Sequence, residues 1–225
     1  CDGVYRMDLS EVIDFHEAKQ ADMTVVCHNE EIVNSNNYTT IKSDESGRVT
    51  DIKINEKVRG SNKFYSNIMI IGRQFLLTLI EDAIVHNYKS FREDIIMRRM
   101  KTLKIFSYDF TGYHATIDSL SSYFVHNMEL LQKPVRDELF GARDIYTKVR
   151  DSAPSKYGDD SSVKNSLISD GCIVEGTVEN SILFRGVKVG KGTVVRNSIL
   201  MQDTVLGDNV SLNCVITDKN VVIRD

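Results

Sequence analysis

The chain has 225 residues, a length that fits one large domain or two smaller ones. Its 28 basic and 32 acidic side chains leave a formal net charge of −4, which argues against a dedicated nucleic-acid binder, because phosphate contacts need a basic surface. The longest apolar run, Ile68–Ile71, is far shorter than the roughly 20 residues of a membrane span. Four widely spaced cysteines predict buried free thiols rather than disulfides or a metal site.

The first 132 residues alternate between helix-like and strand-like segments. Asp8 and Glu11 have the spacing of a capping box, which predicts a helix that runs to Lys19. Strands interleaved with helices predict an α/β domain with a mixed sheet. The other predicted elements are strands at 23–27, 38–42, 49–54, 64–71 and 103–110 and helices at 73–86, 91–101 and 117–131, with a hairpin turn at 44–47.

The chain changes character twice after residue 132. Residues 133–162 contain both prolines, Pro134 and Pro154, and are predicted to be a connector. From residue 163, glycine-rich turns separate apolar residues that recur every five or six positions, which is the hexapeptide pattern of a β-helix. A β-sandwich is the structural alternative, but its turns would come every 8–12 residues. The recurring residues are Leu167, Ile173, Val178, Leu183, Val189, Val195, Leu200, Leu206 and Leu212.

Several motifs in chain order carry a resemblance to one enzyme family. Residues 1–10 resemble "GDHIYKMDYS", 54–57 resemble "FxEKP", 66–70 resemble "SMGIY", 110–120 resemble "GYWxDVGTIxSL" and 127–131 resemble "NMDLL". These motifs belong to the ADP-glucose pyrophosphorylase (glucose-1-phosphate adenylyltransferase) family. The resemblance implies a Rossmann-like nucleotidyltransferase domain in 1–132, the connector in 133–162, and a left-handed parallel β-helix in 163–225. It also implies that the chain is truncated at its N-terminus.

The resemblance also implies a reaction and a set of site residues. Members of the family convert ATP and glucose 1-phosphate to ADP-glucose and pyrophosphate for glycogen synthesis, with Mg²⁺. Asp2 matches a metal-binding carboxylate, which suits a hard cation. Glu56, Lys57 and Ser66 match residues that bind the sugar phosphate.

This sequence also departs from the family pattern at the site. Ile68 replaces a glycine, and the segment between Tyr113 and Thr116 is about three residues short, so that a second metal-binding aspartate is missing. Asp109 and Asp118 are the nearby carboxylates that could substitute for it. The departures resemble the regulatory, GlgD-type subunit of the family, so no catalytic residue is assigned. We therefore expect a cytoplasmic protein that is inactive alone and modulates a catalytic sister chain in a homo- or hetero-tetramer, without nucleic-acid or membrane partners.

Other functions stay open at this point. An active adenylyltransferase is the first alternative. A hexapeptide acyltransferase typically uses a histidine in or beside the β-helix, but all five histidines precede the connector. A translation-factor subunit of the exchange-factor 2B type shares the two-domain plan. The basic cluster of Arg92, Arg98, Arg99, Lys101 and Lys104 either binds an anionic effector or is a solvated helix face paired with Glu93 and Asp94.

Overall fold

The computed structural model describes residues 3–35, 38–54, 58–141, 145–146 and 150–224. The chain divides into two compact units, one from Tyr5 to His114 and one that combines Cys1–Val4 with Ala115–Asp225. The mixed α/β sheet and the C-terminal parallel β-helix that the sequence predicts are both present, so the predicted fold class is confirmed. The helices within these ranges are all too short or too polar to cross a membrane.

The α/β part of the chain contains a five-stranded mixed sheet and a separate two-stranded sheet. Its strands are β1 (Gly3–Tyr5), β2 (Met23–Ser35), β3 (Thr39–Ser43), β4 (Val49–Ile54), β5 (Val58–Ile71), β6 (Ile105–Asp109) and β7 (His114–Thr116). The five longer strands form a sheet in the order β4-β3-β5-β2-β6, while β1 and β7 pair with each other. Strand β6 is parallel to β2 and the other neighbours are antiparallel. The predicted hairpin is confirmed as β3 and β4.

Helices cover both faces of this sheet. Helix α1 (Leu9–Ala18) packs its buried Val12 on one face, and Asp8 caps it by accepting a hydrogen bond from the Ser10 backbone. Helix α2 (Arg73–Val85) and a π-helix (Phe91–Met97) cover the other face. The apolar core lies between that face and these two helices. Its buried members are Met23, Val25, Cys27, Ile41, Val49, Ile52, Tyr65, Leu79, Ile95, Ile96 and Ile105.

Three elements differ from the sequence prediction. Strands β2 and β5 extend well beyond the predicted 23–27 and 64–71, because they continue to pair with each other through mostly polar residues that give only a weak strand signal. The predicted helix at 91–101 is a π-helix over Phe91–Met97, a wider turn that buries Ile95 and Ile96 side by side. Helix α3 (Leu120–Glu129) begins three residues later than predicted, because residues 114–116 form β7.

The second unit contains α3, α4 (Lys133–Phe140) and the β-helix. Three parallel sheets form the sides of the β-helix, with strand orders β8-β11-β14-β17-β20, β9-β12-β15-β18 and β10-β13-β16-β19. These strands are β8 (Lys156–Tyr157), β9 (Ser162–Lys164), β10 (Leu167–Ile168), β11 (Ile173–Val174), β12 (Thr177–Glu179), β13 (Ile182–Leu183), β14 (Lys188–Val189), β15 (Val194–Arg196), β16 (Ile199–Leu200), β17 (Val205–Leu206), β18 (Ser211–Asn213), β19 (Ile216–Thr217) and β20 (Val222–Ile223).

Apolar side chains fill the interior of the β-helix at the predicted spacing, with two exceptions. Ile173 is 37% exposed, whereas its neighbour Val174 is fully buried in the core. Likewise Ile168, rather than Leu167, packs against the core. In both pairs two adjacent residues are apolar, so that spacing alone does not say which one points inward.

Polar ladders hold the corners of the coils. Asn165, Asn180 and Asn197 stand at successive corners with left-handed backbone angles, which asparagine tolerates better than most residues. The Asn165 amide donates to the Asn180 carbonyl oxygen over 2.7 Å. These bonds, and a matching ladder of serine hydroxyls, satisfy polar groups that the turns would otherwise leave unpaired.

Candidate functional site

The structure describes one of the four predicted site residues. Asp2, Glu56 and Lys57 lie outside the described residues, and Ser66 lies inside them. Ser66 is on β5, 7% exposed, on the sheet face opposite the main apolar core. The described part of the site is therefore the surroundings of Ser66.

A bulge in β5 positions the Ser66 hydroxyl. Between the pairs Cys27–Tyr65 and Val25–Met69, β5 contributes three residues and β2 contributes one. The middle residue of the three, Asn67, has a left-handed φ of 58°. Bulges of this kind change the direction of neighbouring side chains and are common next to functional sites. Ile68, which stands where the family has glycine, belongs to the same bulge and is half-buried.

Ser66 forms a hydrogen bond to a buried histidine. The Ser66 Oγ atom lies 2.8 Å from His28 Nδ1, and His28 is 5% exposed on the adjacent strand β2. The His28 ring stacks on the ring of His114, with centroids 3.8 Å apart and an interplanar angle of 20°. His114 in turn stacks parallel to Tyr5 at 5.8 Å. We call Tyr5, His114 and His28 the histidine stack.

The histidine stack lies at the end of the parallel strand pair. Cys27 and Asp109 are the last paired residues of β2 with β6, and the Phe110 backbone N–H donates to the Cys27 carbonyl over 2.8 Å. His28 directly follows Cys27, and His114 lies at the start of β7, just after the loop that leaves β6. Strand β6 ends here while β2 continues to Ser35, and ligands of open α/β sheets bind outside the carboxyl ends of parallel strands. The location therefore fits a ligand site.

On the sheet face opposite the histidine stack, Lys63 forms an ion pair with Asp109, the last residue of β6. Lys63 Nζ lies 2.5 Å from Asp109 Oδ1, 2.8 Å from Ser107 Oγ and 3.1 Å from Ser43 Oγ. The buried Cys27 thiol is nearby, and its burial raises the pKa to about 12.

The described residues do not by themselves form a magnesium site. Within the described ranges, no group of three or more His, Cys, Asp or Glu side chains is placed to hold a metal ion. Asp109, a possible substitute for the missing aspartate, is already engaged by Lys63. Asp2, the predicted ligand, lies outside these ranges.

Two arginines of the basic cluster, which starts on the π-helix and continues past its end, have acidic partners. Arg98 forms an ion pair of 3.0 Å with Asp94, and Arg99 forms one with Asp82. The Arg92 guanidinium donates to a threonine hydroxyl of β3. Paired guanidinium groups have less capacity to bind an anion, so the structure favours a solvated helix face over an effector site.

A polar groove of about 420 Å³ lies on the β-helix, at the turns that precede the second sheet. Acidic Asp159, Asp160 and Glu175 and basic Lys191 line it, together with glycine backbone. Histidine is not among the lining residues, and the sequence has none after residue 126. The groove therefore lacks the imidazole base that an acyl transfer would typically use.

Sequence reasoning did not identify His28 as part of the site. The signal was its position directly after the predicted buried strand 23–27, where the alternation places it on the same face as Thr24. His114 was noted in the shortened segment, but its contact with a residue 86 positions earlier follows from the pairing of strands, which the sequence does not show.

Comparisons with known proteins cover both parts of the chain. Residues 1–101 match the family model described as Nucleotidyl transferase, and residues 152–225 match the model described as GlmU-like, C-terminal hexapeptide. These two matches agree with the α/β sheet and the β-helix of the structure.

Comparison with individual proteins identifies the family more closely than the two family models do. The glycogen biosynthesis protein GlgD of Bacillus subtilis is 45% identical over 150 residues, which cover 65% of this chain and 44% of GlgD. The glucose-1-phosphate adenylyltransferase of Thermosipho africanus is 34% identical over 203 residues, 87% of this chain and 48% of the relative. That of Fervidobacterium nodosum is 30% identical over 230 residues, 100% of this chain and 55% of the relative. The chain thus spans about half the length of these relatives. Together the motifs, the two-part fold and these similarities show that the chain belongs to the glucose-1-phosphate adenylyltransferase (ADP-glucose pyrophosphorylase) family, which includes GlgD.

Proposed function

We propose that this chain is part of a regulatory, GlgD-type subunit that modulates a catalytic glucose-1-phosphate adenylyltransferase chain in glycogen synthesis. The observation that carries the proposal is the hydrogen bond between Ser66 and the buried His28. In the family pattern this serine bonds the sugar, whereas here its hydroxyl is paired with a protein side chain. The 45% identity to GlgD also supports a regulatory subunit.

The remaining features of the site fit a reduced catalytic capacity. Phosphoryl transfer depends on positioning and on cations that stabilise charge on the transferred phosphate. Mg²⁺ is the metal that the nucleotidyltransferase family generally uses, and Asp2 is the ligand we propose for it. Asp109 is neutralised by Lys63, so it is a poor second ligand. Glu56, Lys57 and Ser66 are the proposed sugar-phosphate residues, a binding role that does not require turnover and that Ser66 can take only when its hydroxyl leaves His28.

An active adenylyltransferase is the second candidate, and the relatives favour it in one respect. The proteins that match 87–100% of this chain at 30–34% identity carry the name glucose-1-phosphate adenylyltransferase. In that case the protein would turn over ATP and glucose 1-phosphate alone. The two candidates therefore differ in one measurable quantity, the activity of the isolated protein.

The test is pyrophosphate release from ATP and glucose 1-phosphate with Mg²⁺. The protein is assayed in its full natural length, first alone and then mixed with the catalytic adenylyltransferase chain of the same organism. We expect no release above background alone and a changed turnover or substrate affinity in the mixture. Robust release by the protein alone, or a mixture that behaves as the sum of its parts, would refute the regulatory assignment.

The proposal includes an assembly and a location. The partner is a catalytic adenylyltransferase chain, and the assembly is a homo- or hetero-tetramer to which the β-helix contributes. The location is the cytoplasm, where ATP and sugar phosphates are available. Light scattering of the purified mixture tests the assembly, and a mixture that stays monomeric would contradict it.

A further inference from the structure

The Ser66 hydroxyl has a limited hydrogen-bonding capacity, and His28 uses part of it. A serine hydroxyl provides one donor hydrogen and two acceptor lone pairs. The 2.8 Å bond to His28 Nδ1 uses one of them and fixes the direction of the others. Both side chains are more than nine-tenths buried, at 7% and 5% exposure. A ligand hydroxyl that approaches Ser66 must therefore displace His28 or accept the geometry that His28 imposes.

The neighbouring rings keep His28 in this position. The His114 ring covers one side of the His28 imidazole at a centroid distance of 3.8 Å. The Phe64 ring lies beside His28 as well, with the two ring centroids 5.9 Å apart and an interplanar angle of 38°. Tyr5 stacks parallel to His114 at 5.8 Å. Stacked and tilted rings attract one another beyond the area they bury. Rotation of His28 away from Ser66 would therefore disturb the whole histidine stack.

We propose that the histidine stack is an autoinhibitory contact, which occupies the Ser66 hydroxyl and keeps the hydroxyl group of a hexose 1-phosphate from bonding to it. This inference rests on the proposed function, because it takes Ser66 as part of a sugar-phosphate site. It goes beyond that function by naming the residues that close the site. The site is latent: removal of the stack exposes Ser66 and restores affinity for the sugar phosphate.

The same sheet face offers a matched control. His16 on α1 also bonds a strand hydroxyl through Nδ1, at 2.9 Å from Thr24 Oγ1. Thr24 lies near the start of β2, four residues before His28. His16→Ala therefore removes the same kind of histidine–hydroxyl bond without touching the histidine stack.

The experiment measures binding of glucose 1-phosphate by calorimetry, with the protein in its full natural length. The variants are His28→Ala, His114→Ala, His16→Ala and the double variant His28→Ala with Ser66→Ala. We expect His28→Ala and His114→Ala to bind at least about tenfold more tightly than the wild type, which corresponds to about 1.4 kcal/mol. His16→Ala should bind like the wild type, and the double variant should lose the gain. A structural network alone would give no gain in affinity.

Several results would overturn the inference. Equal affinity of the wild type and the two stack variants would show that the stack does not close the site. Absence of binding in every variant would show that no latent site exists. Thermal unfolding of each variant checks the fold. If His28→Ala does not fold, His114→Ala carries the test, because it removes the ring that holds His28 against Ser66 and so lets a ligand displace His28.

The outcome is separable from that of the proposed function. A wild-type protein that binds glucose 1-phosphate well, releases no pyrophosphate and still modulates the catalytic chain would refute the autoinhibitory contact alone. A wild-type protein that releases pyrophosphate by itself would refute the regulatory function, whatever the binding data show.

Discussion

Replacement of Ser198 by alanine is expected to destabilise the β-helix by about 1–3 kcal/mol. Ser198 is fully buried at a coil corner. Its hydroxyl donates to the Arg196 carbonyl over 2.6 Å and accepts from the Val215 backbone N–H of the next coil over 3.1 Å. Alanine removes both bonds and fills almost the same volume. The cost therefore comes from the N–H and carbonyl groups that lose their partner, rather than from a cavity.

Two measurements test this expectation against a control on the same β-helix. Ser211 is exposed on β18, so Ser211→Ala should change the free energy of unfolding by less than about 0.5 kcal/mol. Urea unfolding followed by circular dichroism compares the two variants. Because the chain has two compact units that can unfold separately, amide hydrogen exchange at Val215 is used to measure the stability of the β-helix itself.

The urea midpoint and the exchange rate of the Val215 amide should change together. We expect Ser198→Ala to lower the urea midpoint and to speed exchange at the Val215 amide, while Ser211→Ala does neither. If Ser198→Ala unfolds like Ser211→Ala and the Val215 amide exchanges at the wild-type rate, the serine ladder does not contribute to stability and the reasoning is wrong.

Three further expectations follow from the described contacts. Gly176→Ala should cost about 1–3 kcal/mol in urea unfolding, because its Cβ would overlap carbonyl oxygens of the next coil, whereas Gly158→Ala meets its nearest atoms at 3.4 Å and should cost less; equal costs would contradict this. The pKa of Cys27, raised to about 12 by burial, should leave its thiol unmodified by iodoacetamide at pH 8, while the exposed Cys214 reacts, as measured by mass spectrometry. The neutral Cys27 thiol also stabilises the fold below pH 9, and this contribution to the free energy of unfolding is lost as the pH rises from about 9 toward 12. Lys63→Met should lower the thermal midpoint, because it removes an ammonium held by three oxygens, and an unchanged midpoint would show that this cluster is dispensable.

The local order of elements was readable from the sequence because each signal is local. Asp8 is the N-cap of α1, as the predicted capping box required, but it bonds the Ser10 backbone, and Glu11 accepts from the Tyr108 hydroxyl. The turn after Ser43 is stabilised by Asp44, whose carboxylate accepts hydrogen bonds from the Ser46 and Arg48 backbone. The Ser46 hydroxyl, which donates to the same carboxylate oxygen over 2.6 Å, and these two backbone bonds hold the pKa of Asp44 below its ordinary value. The hexapeptide spacing likewise predicted the β-helix, since each short strand must present one apolar residue to the interior.

Where the signal was not local, the prediction was wrong or incomplete. Adjacent apolar residues in β10 and β11 hid which of each pair points inward. The π-helix resulted from packing two consecutive isoleucines into one core, which the helical pattern did not distinguish from an α-helix. The polar extensions of β2 and β5 depend on pairing between distant segments, so propensity did not mark them.

The sequence by itself determined the family, the order of the domains and the candidate residues Asp2, Glu56, Lys57 and Ser66, because motifs and periodicity are properties of the chain in one dimension. The roles of these residues stay predictions. Only the tertiary structure decided that His28 bonds Ser66, that His114 stacks on His28, and that Lys63 neutralises Asp109. Each of these contacts joins residues that are 38 to 86 positions apart, and pairing of strands in the sheet brings them within a few ångströms.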